Sequence, residues 1–523
     1  MEALDTKTTS SIVYSNDLCL VTAEKWKSAA HYIANNLDRR TGLVEAEREG
    51  GFFDSAGEVW KGLAASFDPT AESERPRFAS ESSRLEVALA LAKLERNLVA
   101  GLASFQHTAA NHEEAIRQCI FHITSHKRIE DPDFIPLQIV ITQLLSNIIS
   151  PANADPSAAK LADKYLKMYT SGRREEDVII RLLDSSDVKT CQATLHLLNN
   201  VTRNSRSRLH LLLCPIGVRW LMKVLGKMDD WLEKEDSAFD VAAAIFKSFI
   251  HYSLHEQLFT LLAEPSECIT PSQTVFLKIL DSTLSSTTFD PMNSQSNIFL
   301  VSLFRDVEAC ASPSLHQKAD DPRLPKFLEA LILVSEALSS IGLGVQRRRD
   351  KAFVSNTVCN QSSLTEIETG DEERLVVLMK DSKKGVVRPL ISKFSYFNLL
   401  ASLEVFFPRT NPLRPLPDPD HLQPAFKPFS KLKRNLLGLL SILTFNDVVV
   451  GDLVRECGGV ELVLNLTEVD ENNPFLREHA LFCVRNLILD NPANQAIIRK
   501  MDPVGVLSET GELLPVPENM RKT

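Results

Sequence analysis

Apolar side chains recur every three or four positions along most of this chain, and that spacing suits one kind of local structure. Leu91, Leu94, Leu98, Leu102 and Phe105 fall on one face of an amphipathic helix. The same spacing returns at Phe239, Ala242, Ala243, Phe246 and Phe249, at Phe327, Leu331, Leu338 and Ile341, and at Leu436, Leu439, Leu440 and Leu443. Sustained period-two alternation and Asn-Gly hairpin pairs are absent. Polar turns separate the runs, among them Asp131-Pro132-Asp133, Glu264-Pro265-Ser266, Asp321-Pro322 and Asn491-Pro492. Proline is tolerated at a helix start and breaks a helix interior, so these turns punctuate helices. The expected class is all-α.

Internal comparison narrows this further. Ile141–Ile148, Thr194–Val201 and Ala480–Leu487 each carry an apolar helical run that closes on asparagine followed by an aliphatic residue: Asn147-Ile148, Asn200-Val201 and Asn486-Leu487. A polar turn and another apolar helix follow each one. One such unit cannot bury its own apolar face, so units of this kind stack on their neighbours. The pattern resembles the third helix of an armadillo repeat and predicts an armadillo/HEAT-like helical-repeat solenoid.

Composition shifts set the expected boundaries. Residues 1–345 form an N-terminal helical block with a loop near 50–83, in which Phe52, Phe53 and Trp60 dock locally. Residues 346–385 mix Arg347-Arg348-Arg349 with Asp371-Glu372-Glu373 and lack a long apolar face, which points to a disordered insertion. Residues 386–428 are a helix followed by a strap with seven prolines between Pro408 and Pro428. Residues 429–510 are the C-terminal repeats, and 511–523 a tail. Within them Gly458-Gly459 allows a tight helix–helix corner, with a positive φ expected at Gly459.

The balance of charge excludes several functions. A net charge of −10 opposes nucleic-acid binding, which needs a basic face. Nineteen glycines in 523 residues leave little for phosphate-cradling loops, and no GxSxG, Walker or GxGxxG run occurs. No enzyme activity and no cofactor are expected. The apolar runs, such as Leu436–Phe445, reach about half a membrane span, so no stable membrane insertion is expected. The nine cysteines include no CxxC pair and read as free thiols of a cytoplasmic protein, since no secretory signal precedes them. Cys119, His122 and His126 have the sharpest metal-like spacing, C-x2-H-x3-H, on one helix face. Their spread of about 10 Å along the axis strains joint ligation, which makes them weak metal candidates beside the plainer reading as an inert thiol and two histidines.

The stretch from Lys431 to Met501 adds a resemblance. Lys433-Arg434-Asn435-Leu436, Arg455-Glu456, Gly458-Gly459, Asp470-Glu471-Asn472-Asn473-Pro474-Phe475, Arg477-Glu478, Arg485-Asn486-Leu487 and Asn491 to Gln495 together resemble the C-terminal domain of the ataxin-10 family, of the fungal type. Where the family has Trp after Arg-Glu, this chain has His479. The resemblance covers about a seventh of the chain. It implies a non-enzymatic cytoplasmic armadillo-like scaffold connected with cytokinesis and cell-division control. A copper-transport label carried by fungal members implies the alternative of a metal-handling protein.

The expected partners are proteins, held on the helical-repeat surface, with self-association among the options. In armadillo proteins the asparagine ending the third helix bonds an extended peptide, which nominates Asn147, Asn200 and Asn486. On the helix from Phe475 to Leu489, Phe482, Arg485 and Asn486 share one side with Leu481 and Val484 mostly inward, and Arg477 is a further polar contact. The competing assignment for each asparagine is a helix-end cap.

Overall fold

Short oxygen-bearing side chains stand at many helix starts. Ser80, Asp177, Asp187, Asp236, Thr270 and Asp447 each accept a hydrogen bond from a backbone N–H of the first turn. Several helix ends are marked too, by a left-handed residue: Gly101, Asn204, Ser253, Asn446 and Asp490 all have φ between 49 and 73°. Each sits two residues beyond a long inner helix and turns the chain into the next one. The computed structural model describes residues 16–35, 52–70, 78, 80–150, 156–173, 177–286, 297–317, 321–358, 371–391, 399–407, 409, 429–500, 506–507 and 513–514. The chain divides into two units, Met1–Leu262 and Ala263–Thr523.

In the first unit the helices are α1 (Asn16–Asn35), α2 (Phe52–Phe67), α3 (Glu81–Val99), α4 (Ala103–Ala109), α5 (Glu113–Ile123), α6 (Ile135–Ile149), α7 (Pro156–Ser171), α8 (Val178–Asp184), α9 (Val188–Thr202), α10 (Arg206–Leu211), α11 (Pro215–Glu233), α12 (Ser237–His251) and α13 (His255–Leu261). Helices follow in threes, the last of each three being the inner one, as α4-α5-α6, α7-α8-α9 and α10-α11-α12. The three inner members are each 15 residues long. Inner helices pack on one another in sequence, α1 on α3, α3 on α6, α6 on α9 and α9 on α12. Their interlayer core holds fully buried Trp60, Trp220, Phe246 and Phe249. Burying each such side chain contributes roughly 1.5–3 kcal/mol.

The second unit contains α14 (Pro271–Leu284), α15 (Phe299–Gln317), α16 (Leu324–Val358), α17 (Asp371–Lys380), α18 (Val387–Ile391), α19 (Leu399–Phe406), α20 (Leu432–Thr444), α21 (Val448–Glu456), α22 (Gly459–Asn465), α23 (Leu476–Ile488) and α24 (Pro492–Lys500). Here α14 and α15 flank α16, α16 packs on α20, and α20 on α23. The stretch Leu324–Arg349 of α16 is long and apolar enough to cross a membrane, with mean hydropathy 1.7, yet 61% of it is buried within the protein. Leu328, Leu331, Val334, Leu338 and Ile341 are core residues, which makes α16 the central helix of its unit. Beyond α24 two short strands, β1 (Val506–Leu507) and β2 (Leu513–Leu514), pair antiparallel.

The all-α helical-repeat expectation matches this architecture, while several boundaries differ. The block expected over 1–345 divides after Leu262. The loop expected near 50–83 contains α2, a 16-residue helix with nine buried residues, because Phe52, Phe53, Val59, Trp60 and Leu63 recur on one face. The insertion expected over 346–385 includes the end of α16 and all of α17, whose Leu375 and Met379 are fully buried. Arginine and lysine are good helix formers, so a basic run lengthens a helix without an apolar face. Residues 359–370, the strap at 410–428 and most of the tail lie outside the described residues. The positive φ belongs to Gly458, at +71°, rather than Gly459. Gly459 is confined by packing, since a Cβ there would meet Ile391 at 2.8 Å and Val454 at 2.9 Å.

Candidate interaction surface

The asparagines that close the inner helices reach inward. Asn147 donates through Nδ2 to the Arg96 carbonyl at 3.0 Å, Asn200 to Ser146 Oγ at 3.2 Å, and Asn486 to the Ser441 carbonyl at 2.9 Å. Asn97, which the sequence comparison passed over, does the same to the Ala30 carbonyl at 2.9 Å. Each bond joins an inner helix to the one before it. A net worth of about 1 kcal/mol apiece makes them rungs of the stack rather than a row awaiting a peptide. Neither the peptide-binding assignment nor the simple end cap describes them. Their partners lie on a neighbouring helix because the inner helices run side by side. At the end of α6 Ser150 is extended, with φ −86° and ψ 145°, and Gln106 Nε2 closes the helix by donating to the Asn147 and Ser150 carbonyls at 2.6 and 2.7 Å.

The C-terminal motif residues form a second set of internal ties. Lys433 is 1% exposed, and its Nζ donates to Glu404 Oε1 at 2.7 Å and to the Phe407 carbonyl at 2.9 Å, with Asp470 Oδ2 at 3.4 Å. A buried ammonium needs such partners to offset its lost hydration. The Asp470 carboxylate also accepts from the Asn472 backbone N–H, and Asn473 Nδ2 donates to the Ser430 carbonyl. Asn494 bonds the Gly451 and Leu487 carbonyls, and Asn491 bonds Asp452, which ties α24 to α21 and α23. Burial pushes the Cys483 thiol up to about 12, so it is inert core.

What remains of the motif faces outward on α23 and the turn before it. Leu476, Ala480, Cys483 and Leu487 are buried. On the opposite side Phe475 is 62% exposed, Leu481 and Phe482 51%, and Leu489 43%. Phe475, Phe482 and Leu489 are seven residues apart, so they form one stripe along the helix. The Arg485 guanidinium lies 5.9 Å from the centre of the Phe482 ring. Arg477 and Arg485 are exposed, and among the described residues neither is held in an ion pair. Two expectations change here: Leu481 points outward, and Asn486 is buried on the α20 side. The exposure has a simple architectural origin. In α3, α6, α9 and α20 the corresponding side is covered by the next inner helix. After α23 come α24 and the short strands β1 and β2, and no further inner helix follows among the described residues.

The proposed metal ligands do not converge. Cys119 is fully buried in α5, and burial raises its pKa well above the ordinary thiol range. His122 is half-buried at the end of α5, with its pKa lowered by burial, and α5 stops at Ile123, so exposed His126 sits in the following turn. No group of three ligating side chains suited to a metal occurs among the described residues. The sequence reading missed a buried cluster instead. Glu95, 0% exposed, accepts from Trp60 Nε1 at 2.7 Å and lies 2.7 Å from His112 Nδ1. Burial lowers the His112 pKa, but the Glu95 charge and hydrogen bond outweigh it and the net shift is upward. This cluster fastens α2 to α3 and the α4–α5 corner.

Residues 432–516 match the family model described as the spinocerebellar ataxia type 10 protein domain. The chain is 36% identical over 88 residues to an ataxin-10 homolog of Candida albicans, covering 16% of this chain and 19% of that one. It is 36% identical over 92 residues to an ataxin-10 homolog of Dictyostelium discoideum, covering 17% and 15%. Against ataxin-10 of Bos taurus it is 35% identical over 74 residues, covering 14% and 16%. The match therefore spans less than a fifth of the length of these relatives. A solved structure from work on the phosphorylation switch between cadherin and β-catenin overlays 93% of this chain and 83% of its own, at 11% identity and a TM-score of 0.30. The turn from Asp470 to Phe475, the Lys433 tie beneath it and the Arg485-Asn486-Leu487 run of α23 all lie inside the matched segment, so what this chain shares with the ataxin-10 family is its C-terminal domain.

Proposed function

We propose that this protein is a non-enzymatic scaffold that binds protein partners on the outer face of α23, in the cytoplasm and in the control of cell division. The observation that carries the binding surface is the stripe Phe475–Phe482–Leu489 with Leu481 beside it, left in water where earlier inner helices are covered. A contiguous apolar face rimmed by arginines is costly to leave hydrated and suits an amphipathic helix with an acidic border. Phe482 with Arg485 stacked near it has the composition of an interface hot spot, a large aromatic beside a guanidinium. Asn147, Asn200 and Asn486 are not part of this surface, because their amides are engaged within the stack.

The test is the double substitution Phe482→Ala with Arg485→Glu, both at exposed positions. Its far-UV circular dichroism and melting are expected to match the wild type. Partners captured by the wild-type chain from the same extract should be lost or weakened at least about tenfold. A folded double variant that retains every wild-type partner, and supports normal division in cells relying on it, would show that binding resides elsewhere.

A further inference from the structure

Two thiols far apart in sequence meet in the second unit. Cys268 lies in the segment between Leu262 and α14, and Cys310 is carried on α15. Cys268 Sγ donates to the Asp306 carbonyl, one turn before Cys310, at 3.7 Å, which brings the two thiols close enough to influence one another. Both side chains are partly exposed, whereas Cys119, Cys191, Cys457 and Cys483 are buried. Cys214, the other partly exposed thiol among the described residues, caps the start of α11 by accepting from the Gly217 N–H. Arg323, 71% exposed in its side chain and paired with Asp321 at 3.1 Å, places positive charge near both Cys268 and Cys310. Pro313 lies within α15 and has no N–H for the helical bond to the residue-309 carbonyl, so the backbone next to Cys310 is less constrained than a regular helix.

We propose that Cys268 and Cys310 form a reversible redox pair, oxidised to an intramolecular disulfide by exchange with a small anionic disulfide of the glutathione type. The Cys310 thiolate attacks one sulfur of glutathione disulfide, forming a mixed disulfide and releasing one glutathione thiolate. The Cys268 sulfur, on losing its proton, attacks Cys310 Sγ, closes the protein disulfide and releases the second glutathione. The two protons of the protein thiols end on the two glutathiones, so one disulfide is reduced for each one formed. The order of attack follows from the surroundings of Cys268. Burial, then the hydrogen bond and charge of Cys310, push its pKa up to about 12, so it holds its proton until the mixed disulfide is beside it. Arg323 favours the approach of the anionic reagent. Closure fastens the segment that follows Leu262 to α15.

The experiment uses the full chain, folded and reduced, then equilibrated with glutathione and glutathione disulfide and mapped by non-reducing peptide mass spectrometry. The expected product joins the Cys268 and Cys310 peptides, with the four buried cysteines unmodified. The Cys268→Ser variant should stop at a stable glutathione adduct on Cys310, and the Cys310→Ser variant should leave Cys268 largely reduced. A wild-type chain that keeps a lasting adduct on Cys310, pairs either thiol elsewhere, or shows no cross-link in a buffer that oxidises a reference dithiol overturns the proposal. If a serine variant does not fold, the wild-type map alone decides between these outcomes.

Discussion

Glu308 gives the second unit a pH dependence that a single substitution isolates. It lies in α15, is 7% exposed, and accepts a hydrogen bond from Ser312 Oγ at 2.7 Å. Burial raises its carboxyl from the ordinary 4.5 to about 7, against smaller opposing effects of Ser312 and Arg305. The folded chain thus binds this proton more tightly than the unfolded chain. The resulting stabilisation is complete below the unfolded value and is lost as pH rises through the folded one. At about 1.4 kcal/mol per unit, the loss amounts to ~3 kcal/mol between about pH 4.5 and 7.5. Glu308→Gln keeps the shape and an acceptor for Ser312 while removing the ionisation. Burial also raises Asp281, to about 6, so the measurement is the difference between wild type and variant at each pH, in which Asp281 cancels. Urea unfolding followed by circular dichroism, with hydrogen exchange of α15 peptides to place the change, should show the variant gaining on the wild type as pH rises from about 5 to 8. A difference that stays constant over that range would refute the burial argument.

The two corner glycines should fail for different reasons. Gly458→Ala forces a side chain into the left-handed region and should cost about 1 kcal/mol, while Gly459→Ala should cost a similar amount through overpacking against Ile391 and Val454. Shortening Ile391 to alanine should rescue only the second, as read by thermal melting. Asn486→Ala removes the bond that ties α23 to the Ser441 carbonyl and should destabilise by about 1 kcal/mol, with hydrogen exchange rising first at the α20–α23 junction. No change in exchange there would remove the rung assignment.

The class of fold was legible because a 3.6-residue repeat imprints itself directly on where leucine and phenylalanine stand. The ending of the inner helices was legible too, and more fully than it was used, since Arg96-Asn97-Leu98 repeats the triplet Arg485-Asn486-Leu487. What those asparagines bond was not legible. A side chain at a helix end meets a peptide or a neighbouring helix according to how the helices stack, and single-sequence periodicity is silent on that. The same limit hid the approach of Trp60, Glu95 and His112, and of Cys268 and Cys310, which only the packing brings together. On α23 the sequence nominated Phe482 and Arg485 correctly as outward. It turned Leu481 inward because leucine is usually core, whereas on α23 no further inner helix among the described residues covers the would-be core face.

The asparagine rungs all point the same way along the chain: Asn97 to α1, Asn147 to α3, Asn200 to α6 and Asn486 to α20. Every donor waits for an acceptor that has already been made. A growing chain leaving the ribosome can therefore complete each rung as soon as its helix emerges, without holding a buried amide open for residues still to be synthesised. Shortening such a protein from its C-terminus leaves the earlier rungs complete, whereas shortening it from the N-terminus strands a polar amide at the new end. Its tolerance of truncation is thus inherently one-sided.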